Sequence, residues 1–382
     1  MNEEPRILLL TLSFGSGHVR ASQTIAKELK HLRPAAQVSV IDALERCRWW
    51  FHALYVAPYW LMVRHFPRAW RRLFETRVKN RHTRTAPEWV FRIGCSQVFE
   101  TIGRINPDVI VAVEVGACEM AAIAKREGLT GARLISVITD HEAEPVWVKE
   151  EVDSYAVADE TVRQQLIVWG APQHKVEVTG IAVDASFAKS SLGLSQESEK
   201  HNQPIVLLMG GGMGPTRMDQ VVEMLCKSGV PMELVAVAGH DRQVQKKLSR
   251  VRAEPPVSLR VLGWADDVAG LMQAATLLVT KPGGLTISEA AFCGLPMILF
   301  DALPGPEQRN AAHLASEGAA SITSGVEETV DATIALLRDE QTRWAMSQKV
   351  RQVSSPEAAA NIARIVLGNG YLQTQVARAK TA

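Results

Sequence analysis

Cysteine is scarce and scattered in this 382-residue chain: Cys47, Cys95, Cys118, Cys226 and Cys293, with no CxxC pair. An odd, widely spaced set points to a reducing compartment and to no structural zinc. Cys293 reads as a small buried residue. Long apolar runs are missing too. No window reaches the ~18 to 20 apolar residues that a spanning helix needs. The start, MNEEPRILLLTLSFGSGH, sets acids before a short apolar run, unlike a secretory signal. A cytoplasmic chain that does not span a membrane is expected. Charge of one sign is also missing, since the net value is +1, so the total balance names no partner. There is no DxD pair to argue for Mg²⁺ and no GxGxxG to argue for a dinucleotide.

What is present is an ordinary globular composition, 47% apolar. The length allows two domains. Short apolar runs alternate with helix-length stretches: RILLLTLS, VSVIDAL, DVIVAV, RLISVITD, SYAVA and VEVTGI, then PIVLLMG, MELVAVAG, LRVLGW, ATLLVT and PMILF. Continuous apolar strands of this kind belong to parallel sheets covered on both faces. The expected fold is α/β, with two doubly wound, Rossmann-like domains. The predicted boundaries are 1–186 and 204–350, joined by a polar linker at 187–203. A helical tail is expected at 351–382. Ligands of such sheets bind beyond the carboxyl ends of the strands. Two such domains facing each other would put the site in the cleft between them.

The stretch TKPGGLTISEAAFCGLPMILF, from Thr280 to Phe300, carries the most chemistry. Gly283 and Gly284 follow a strand and open a helix. Amides at a helix start lack intrahelical acceptors, and the dipole is positive there. Bare glycines let a diphosphate reach those amides. Glu289, about one and a half turns on, is placed to accept hydrogen bonds from a ribose diol. A tight turn with a solvated glutamate is the plainer alternative. A second glycine turn, Gly210 to Gly214, follows PIVLLM and suits a phosphate or a close approach of the facing domain. In the first half, SFGSGHVRAS puts Gly15, Gly17 and His18 at another strand-to-helix turn.

These motifs, taken in order, resemble one family. SFGSGHVRAS, VITD, VTGIAVDASF, LLMGGGMG, KPGGLTISEA and PGPEQRNAAHL are similar to the successive motifs of monogalactosyldiacylglycerol synthases and bacterial processive diacylglycerol glucosyltransferases. That family is related to the peptidoglycan N-acetylglucosaminyltransferase. The likeness covers roughly residues 7 to 320. It implies a GT-B fold, inverting and metal-independent transfer, a UDP-hexose donor, a diacylglycerol-like acceptor and no cofactor. It implies that Gly211, Gly212, Gly283, Gly284 and Thr286 hold the diphosphate and Glu289 the ribose. Glu307 and Asn310 would meet the sugar hydroxyls, with Gly17 and His18 on the acceptor side.

Inverting transfer needs a base for the acceptor hydroxyl. A histidine at a helix N-terminus is biased toward its neutral form, because the dipole disfavours imidazolium. His18 is therefore the first candidate, with a turn-shaping histidine as the alternative. Asp140, ending RLISVITD, is the second, as base or as the group that orients His18; a simple helix cap is its alternative. Three departures from the family pattern bear on donor sugar and acceptor. Glu144 stands where the glucosyltransferases carry His. Pro306 stands where they carry Gln. Gly180-Ile181-Ala182 replaces GIP, and Asp184 stands where Arg often follows.

The near-zero charge hides a local excess. Arg46 to Arg84 holds ten Lys/Arg against one acid, Glu75, and four of the nine tryptophans. Trp49, Trp50, Trp60, Arg71 and Arg72 suit an anionic bilayer surface, where aromatics settle at the headgroups. Each basic residue near such a surface adds about 1 kcal/mol. Leu54, Val56, Leu61, Met62 and Val63 make the segment too greasy for nucleic acid, the rival for a basic aromatic stretch. Core packing with solvated arginines is the plainer alternative. Pro58 and Pro67 should break the segment into pieces.

Three functions follow. The first is a peripheral, UDP-sugar-dependent transferase acting on a lipid. The second keeps the fold but uses UDP-N-acetylglucosamine as donor, or turns over the sugar nucleotide as an epimerase or hydrolase without lipid. The third is a non-catalytic protein at the membrane surface that senses nucleotide without turnover.

Overall fold

The computed structural model describes residues 4–80, 86–188, 203–210 and 216–368. Residues 1–183 with 355–382 form one compact unit, and residues 184–354 form the second. The linker expected at 187–203 falls mostly outside the described residues.

The first unit holds six strands: β1 (Arg6–Thr11), β2 (Gln37–Asp42), β3 (Val109–Ala112), β4 (Arg133–Val137), β5 (Ser154–Val157) and β6 (Val176–Val178). They pair in the order β2-β1-β3-β4-β5-β6, all parallel. The second unit holds β7 (Ile205–Met209), β8 (Met232–Val237), β9 (Val257–Leu262), β10 (Leu277–Thr280), β11 (Met297–Leu299) and β12 (Ala320–Ile322). Their order is β12-β11-β10-β7-β8-β9, again all parallel. This is the expected doubly wound α/β architecture, realised twice. Eleven strands coincide with the apolar runs of the sequence. The one not anticipated, β12, is a three-residue edge strand, too short to show a pattern.

Topology selects which loops matter. In the first unit the winding reverses between β1 and β3; in the second it reverses between β7 and β10. Such reversal points leave a crevice at the carboxyl ends of the strands. The loops that open there carry SFGSGH, Glu114, Gly210 and KPGG.

The C-terminal helical segment does not stand apart. Helix Ala358–Leu367 belongs to the first unit. Ile362, Ala363, Val366 and Leu367 are buried in one core with Ile25 and Leu29 of helix Ser16–Leu32 and with Val109 and Val111 of β3. Arg133 at the start of β4 donates to the Ile365 carbonyl at 2.9 Å.

Cysteine chemistry departs from the wide-spacing argument. Cys47 and Cys95 form a disulfide across 48 residues of sequence. Cys118, Cys226 and Cys293 are buried thiols outside any disulfide. The pair is brought together by packing of the Glu88–Gly94 helix on the segment around Phe51, a contact no local pattern announces.

The basic, aromatic segment is helical. Helix starts at Trp49, passes through a π-helical turn at His52–Val56 and continues as Ala57–His65. Pro58 therefore does not break it. The wide π turn just ahead accommodates a residue with no N–H and a bulky ring. Pro67 does start a new helix, Pro67–Lys79. Among the described residues, no helix is long and apolar enough to cross a membrane.

Candidate active site

In the first unit the site is built at the ends of β1, β3 and β4. Helix Ser16–Leu32 starts at an extended Gly15, so Gly17 and His18 fall in its first turn. The loop before it is fixed from β2: Asp42 Oδ1 accepts from the Ser13 amide at 3.2 Å and from Leu44 at 3.0 Å. Ser22 donates to the His18 carbonyl at 2.8 Å.

The His18 ring is held from the neighbouring strand ends. Its Nδ1 lies 3.1 Å from the Thr139 hydroxyl. Burial pushes the imidazole below its ordinary pKa, while the Asp140 carboxylate and a hydrogen bond with the Val113 backbone pull it partly back. A neutral ring held in one orientation is what a base requires. Asp140 thus acts on His18 through its charge. Thr139, one residue earlier in the same VITD motif, meets the ring directly; sequence reading gave it no role, because nothing local says that a threonine at a strand end meets a residue 121 positions away.

Carboxylates crowd behind this pair. Glu114 caps helix Val115–Arg126, its Oε2 accepting from Gly116 at 2.6 Å and Ala117 at 3.2 Å. Burial raises its carboxyl to about 7 against the lowering effect of those amides. Glu144, the residue at the family's histidine position, is half-buried, and desolvation raises its carboxyl; Arg77 opposes that shift. The Arg77 guanidinium lies 3.0 Å from Glu144. Arg77 belongs to the Pro67–Lys79 helix, so the basic segment reaches the loop that carries Asp140. A second link is aromatic. Phe14, four residues before His18, meets Tyr55 at 6.0 Å and Tyr59 at 5.3 Å, both edge to face.

The outer face of that segment is exposed. Trp49 is 80% exposed, Leu54 67% and Phe66 57%. Arg71 and Arg72 are exposed as well. Trp50 and Trp60 are only half-buried, Trp60 packing edge-on against Tyr59 at 5.1 Å.

In the second unit the site is built at the ends of β7 and β10. The Thr280 hydroxyl donates to the Met209 carbonyl at 2.9 Å and ties the two strand ends together. Gly283 caps helix Gly284–Cys293 without any side-chain hydrogen bond. Among the described residues, nothing lies within 4 Å of a Cβ built on Gly283, which leaves these amides open to approach. Thr286 lies in the first turn and is half-buried. Glu289 is buried on the same helix. Gly211 and Gly212 lie outside the described residues.

Helix Pro306–Ser316 supports this turn. Asn310 is fully buried, and its amide nitrogen donates to the Pro282 carbonyl at 3.0 Å. Glu307 accepts from the Leu303 amide at 2.7 Å. In this structure both residues expected at sugar hydroxyls fix backbone. At the ends of β8 and β9, on the same edge of the sheet, His240 and Trp264 stack with ring centroids 4.1 Å apart and planes 11° apart. Sequence reading passed over this pair, since the two are 24 positions apart and join only through the pairing of β8 with β9.

Two units of this topology, with glycine-opened helices at the reversal points, define the GT-B glycosyltransferase fold. Solved structures agree. MurG from Acinetobacter baumannii is 16% identical with a TM-score of 0.61, covering 95% of this chain and 99% of that one. HepE from Anabaena, in complex with UDP-glucose, is 17% identical with a TM-score of 0.52, covering 99% and 100%. A UDP-N-acetylglucosamine 2-epimerase is 13% identical with a TM-score of 0.62, covering 96% of each chain. These likenesses establish the fold alone.

Sequence comparison goes further. Residues 18–183 match the monogalactosyldiacylglycerol (MGDG) synthase model, and residues 205–362 match the glycosyltransferase family 28 C-terminal domain. A processive diacylglycerol beta-glucosyltransferase of Bacillus subtilis is 27% identical over 392 residues, covering 100% of this chain and 99% of its own. One from Bacillus cytotoxicus is 27% identical over 390 residues, covering 98% and 96%. The chain belongs to the glycosyltransferase family of monogalactosyldiacylglycerol synthases and processive diacylglycerol glucosyltransferases.

Proposed function

We propose that this chain is an inverting transferase that moves a hexose, glucose or galactose, from a UDP-sugar to diacylglycerol or a related lipid at a membrane surface. The observation that carries the reading is the open, glycine-capped start of the Gly284–Cys293 helix with Glu289 buried on it. The amides of that turn, with Thr286 and the glycines at 211 and 212, receive the diphosphate. Glu289 binds the ribose. The stacked His240–Trp264 pair offers a flat aromatic face for the base, and Trp264 keeps 46% of its surface exposed. Asn310 and Glu307 set the loop against which the sugar rests.

On the acceptor side, neutral His18 takes the proton of the lipid hydroxyl as its oxygen attacks the anomeric carbon. Thr139 and Val113 orient the ring, and Asp140 stabilises the imidazolium that forms. The sugar–phosphate bond breaks on the opposite face, and its electron pair leaves with the nucleoside diphosphate. The exposed Trp49, Leu54 and Phe66, beside Arg71 and Arg72, bring the protein to an anionic bilayer from which the lipid is drawn.

A donor panel tests this. UDP-glucose, UDP-galactose and UDP-N-acetylglucosamine are mixed in turn with diacylglycerol vesicles and protein, and the product lipid is identified by mass. A glycosylated diacylglycerol is expected with a hexose donor; no glycolipid with any donor overturns the reading. Likeness of fold to an epimerase raises one other reaction, turnover of UDP-N-acetylglucosamine without lipid. The same panel run without vesicles measures it.

A further inference from the structure

Lys281 stands between β10 and the Gly283 cap, and neither the motif reading nor the mechanism above uses it. Its side chain is 2% exposed, yet among the described residues its ammonium donates no hydrogen bond. Its ion-pair partner is Glu307 Oε2, 3.8 Å away, beyond hydrogen-bond distance. A buried ammonium with three N–H groups and so loose a pairing is costly unless an anion completes it.

The location says which anion. Glu307 lies in the first turn of helix Pro306–Ser316, and Asn310 of that helix holds the Pro282 carbonyl. Lys281 therefore sits where two helix starts, Gly284–Cys293 and Pro306–Ser316, are tied together. Both starts present positive dipole ends, and Lys281 adds a full charge beside them. An apolar or neutral group at this point leaves the ammonium with its 3.8 Å pairing to Glu307 and no hydrogen bond among the described residues. A phosphate accepts from the ammonium and from the amides together.

We propose that Lys281 contacts the sugar-bearing phosphate of the nucleoside diphosphate, with Glu307 positioning its amine. This rests on the donor reading above and assigns the cation of that site. When the anomeric carbon–oxygen bond breaks, its electron pair stays on this phosphate, which gains one negative charge. The acceptor hydroxyl forms the new bond and gives its proton to His18. Lys281 faces the group whose charge grows, so it contributes more in the transition state than in the bound donor.

The test compares uridine, UMP and UDP by calorimetry on wild type, Lys281→Met and Lys281→Arg. Wild type is expected to prefer UDP over UMP. Lys281→Met should lose roughly 10- to 100-fold in UDP affinity, the size of one charge-assisted hydrogen bond, and hold UMP within about twofold. Lys281→Arg should recover most of the loss, and in Lys281→Met turnover should fall more than the donor KM rises. An unchanged UDP-to-UMP ratio in Lys281→Met, or equal loss of both ligands, overturns the assignment. Wild type without UDP binding overturns the donor reading itself. A crystal of the wild-type chain with UDP serves if the variants do not fold. Lys281 Nζ within about 3.2 Å of the terminal phosphate is expected, and a phosphate more than about 5 Å away defeats the proposal.

Discussion

His18 and Thr139, 121 positions apart in sequence, meet at 3.1 Å between the imidazole Nδ1 and the hydroxyl. The contact spans the end of β4 and the first turn of the helix after β1, strands separated in the sheet only by β3. It gives the candidate base an orientation independent of any bound lipid.

Removing the candidate base should be costly. His18→Ala is expected to lower turnover about 10²- to 10⁴-fold with donor affinity nearly unchanged. Steady-state kinetics with saturating vesicles check this. Turnover within a factor of about three of wild type would give the proton to another group.

The acid limb of the rate reports the ring's protonation. Burial lowers the His18 pKa, so turnover should persist below the usual imidazole range. Asp140 raises that pKa. Asp140→Asn should therefore move the acid limb to lower pH while reducing the maximal rate. A limb moved upward would show that Asp140 acts on something other than His18.

Ribose binding by Glu289 predicts a donor effect. Glu289→Ala should weaken UDP binding by roughly 1.5 to 3 kcal/mol, the worth of hydrogen bonds to a charged acceptor. Since Glu289 is buried, Glu289→Gln is the gentler control, with a smaller loss. Calorimetry with UDP separates the two.

Glu114 predicts a stability effect. Its folded-state pKa is about 7 and its ordinary value 4.5. Between these values the folded chain keeps a proton that the unfolded chain releases. The contribution of Glu114 to stability is therefore full below the lower value and lost as pH rises through the upper one. Glu114→Gln keeps an oxygen for the Gly116 and Ala117 amides but cannot ionise. Its stability relative to wild type should rise between pH 4.5 and 7 by about 1 to 3 kcal/mol. Denaturant melts across that range measure the difference; a difference independent of pH would show that Glu114 ionises as freely in the folded chain.

The membrane reading predicts a separation of functions. Trp49, Leu54 and Phe66 are exposed, so replacing all three with Ser should spare the fold. Sedimentation with anionic vesicles should drop at least about tenfold, with UDP affinity intact. Equal sedimentation of variant and wild type would remove this face from the argument. Trp50 is a poorer probe, since it packs beside Gly94.

Reading by motif matches the structure where the feature is local backbone. Gly283 and Gly284 are legible because a helix start open to an anion needs residues without side chains, and that need is local. His18 in the first helical turn and the apolar strands are legible for the same reason. The stacked His240–Trp264 pair, Thr139 beside His18, and Arg77 on Glu144 are not, because each joins residues that are neighbours only through strand order or helix packing. Pro58 misled because a π turn, set by the surrounding aromatic packing, absorbed it.

The sequence alone determined two parallel α/β units, the glycine-opened turns, the acid six positions after Gly283 and a basic, aromatic face. Apolar periodicity and glycine placement act over a few residues, so one dimension suffices to read them. Tertiary structure decided the rest. It returned the last helix to the first core, paired Cys47 with Cys95, turned Asn310 onto the Pro282 carbonyl and buried Lys281 between two helix starts. These depend on which surfaces meet when the sheets wind, and burial then fixes which polar groups must find each other.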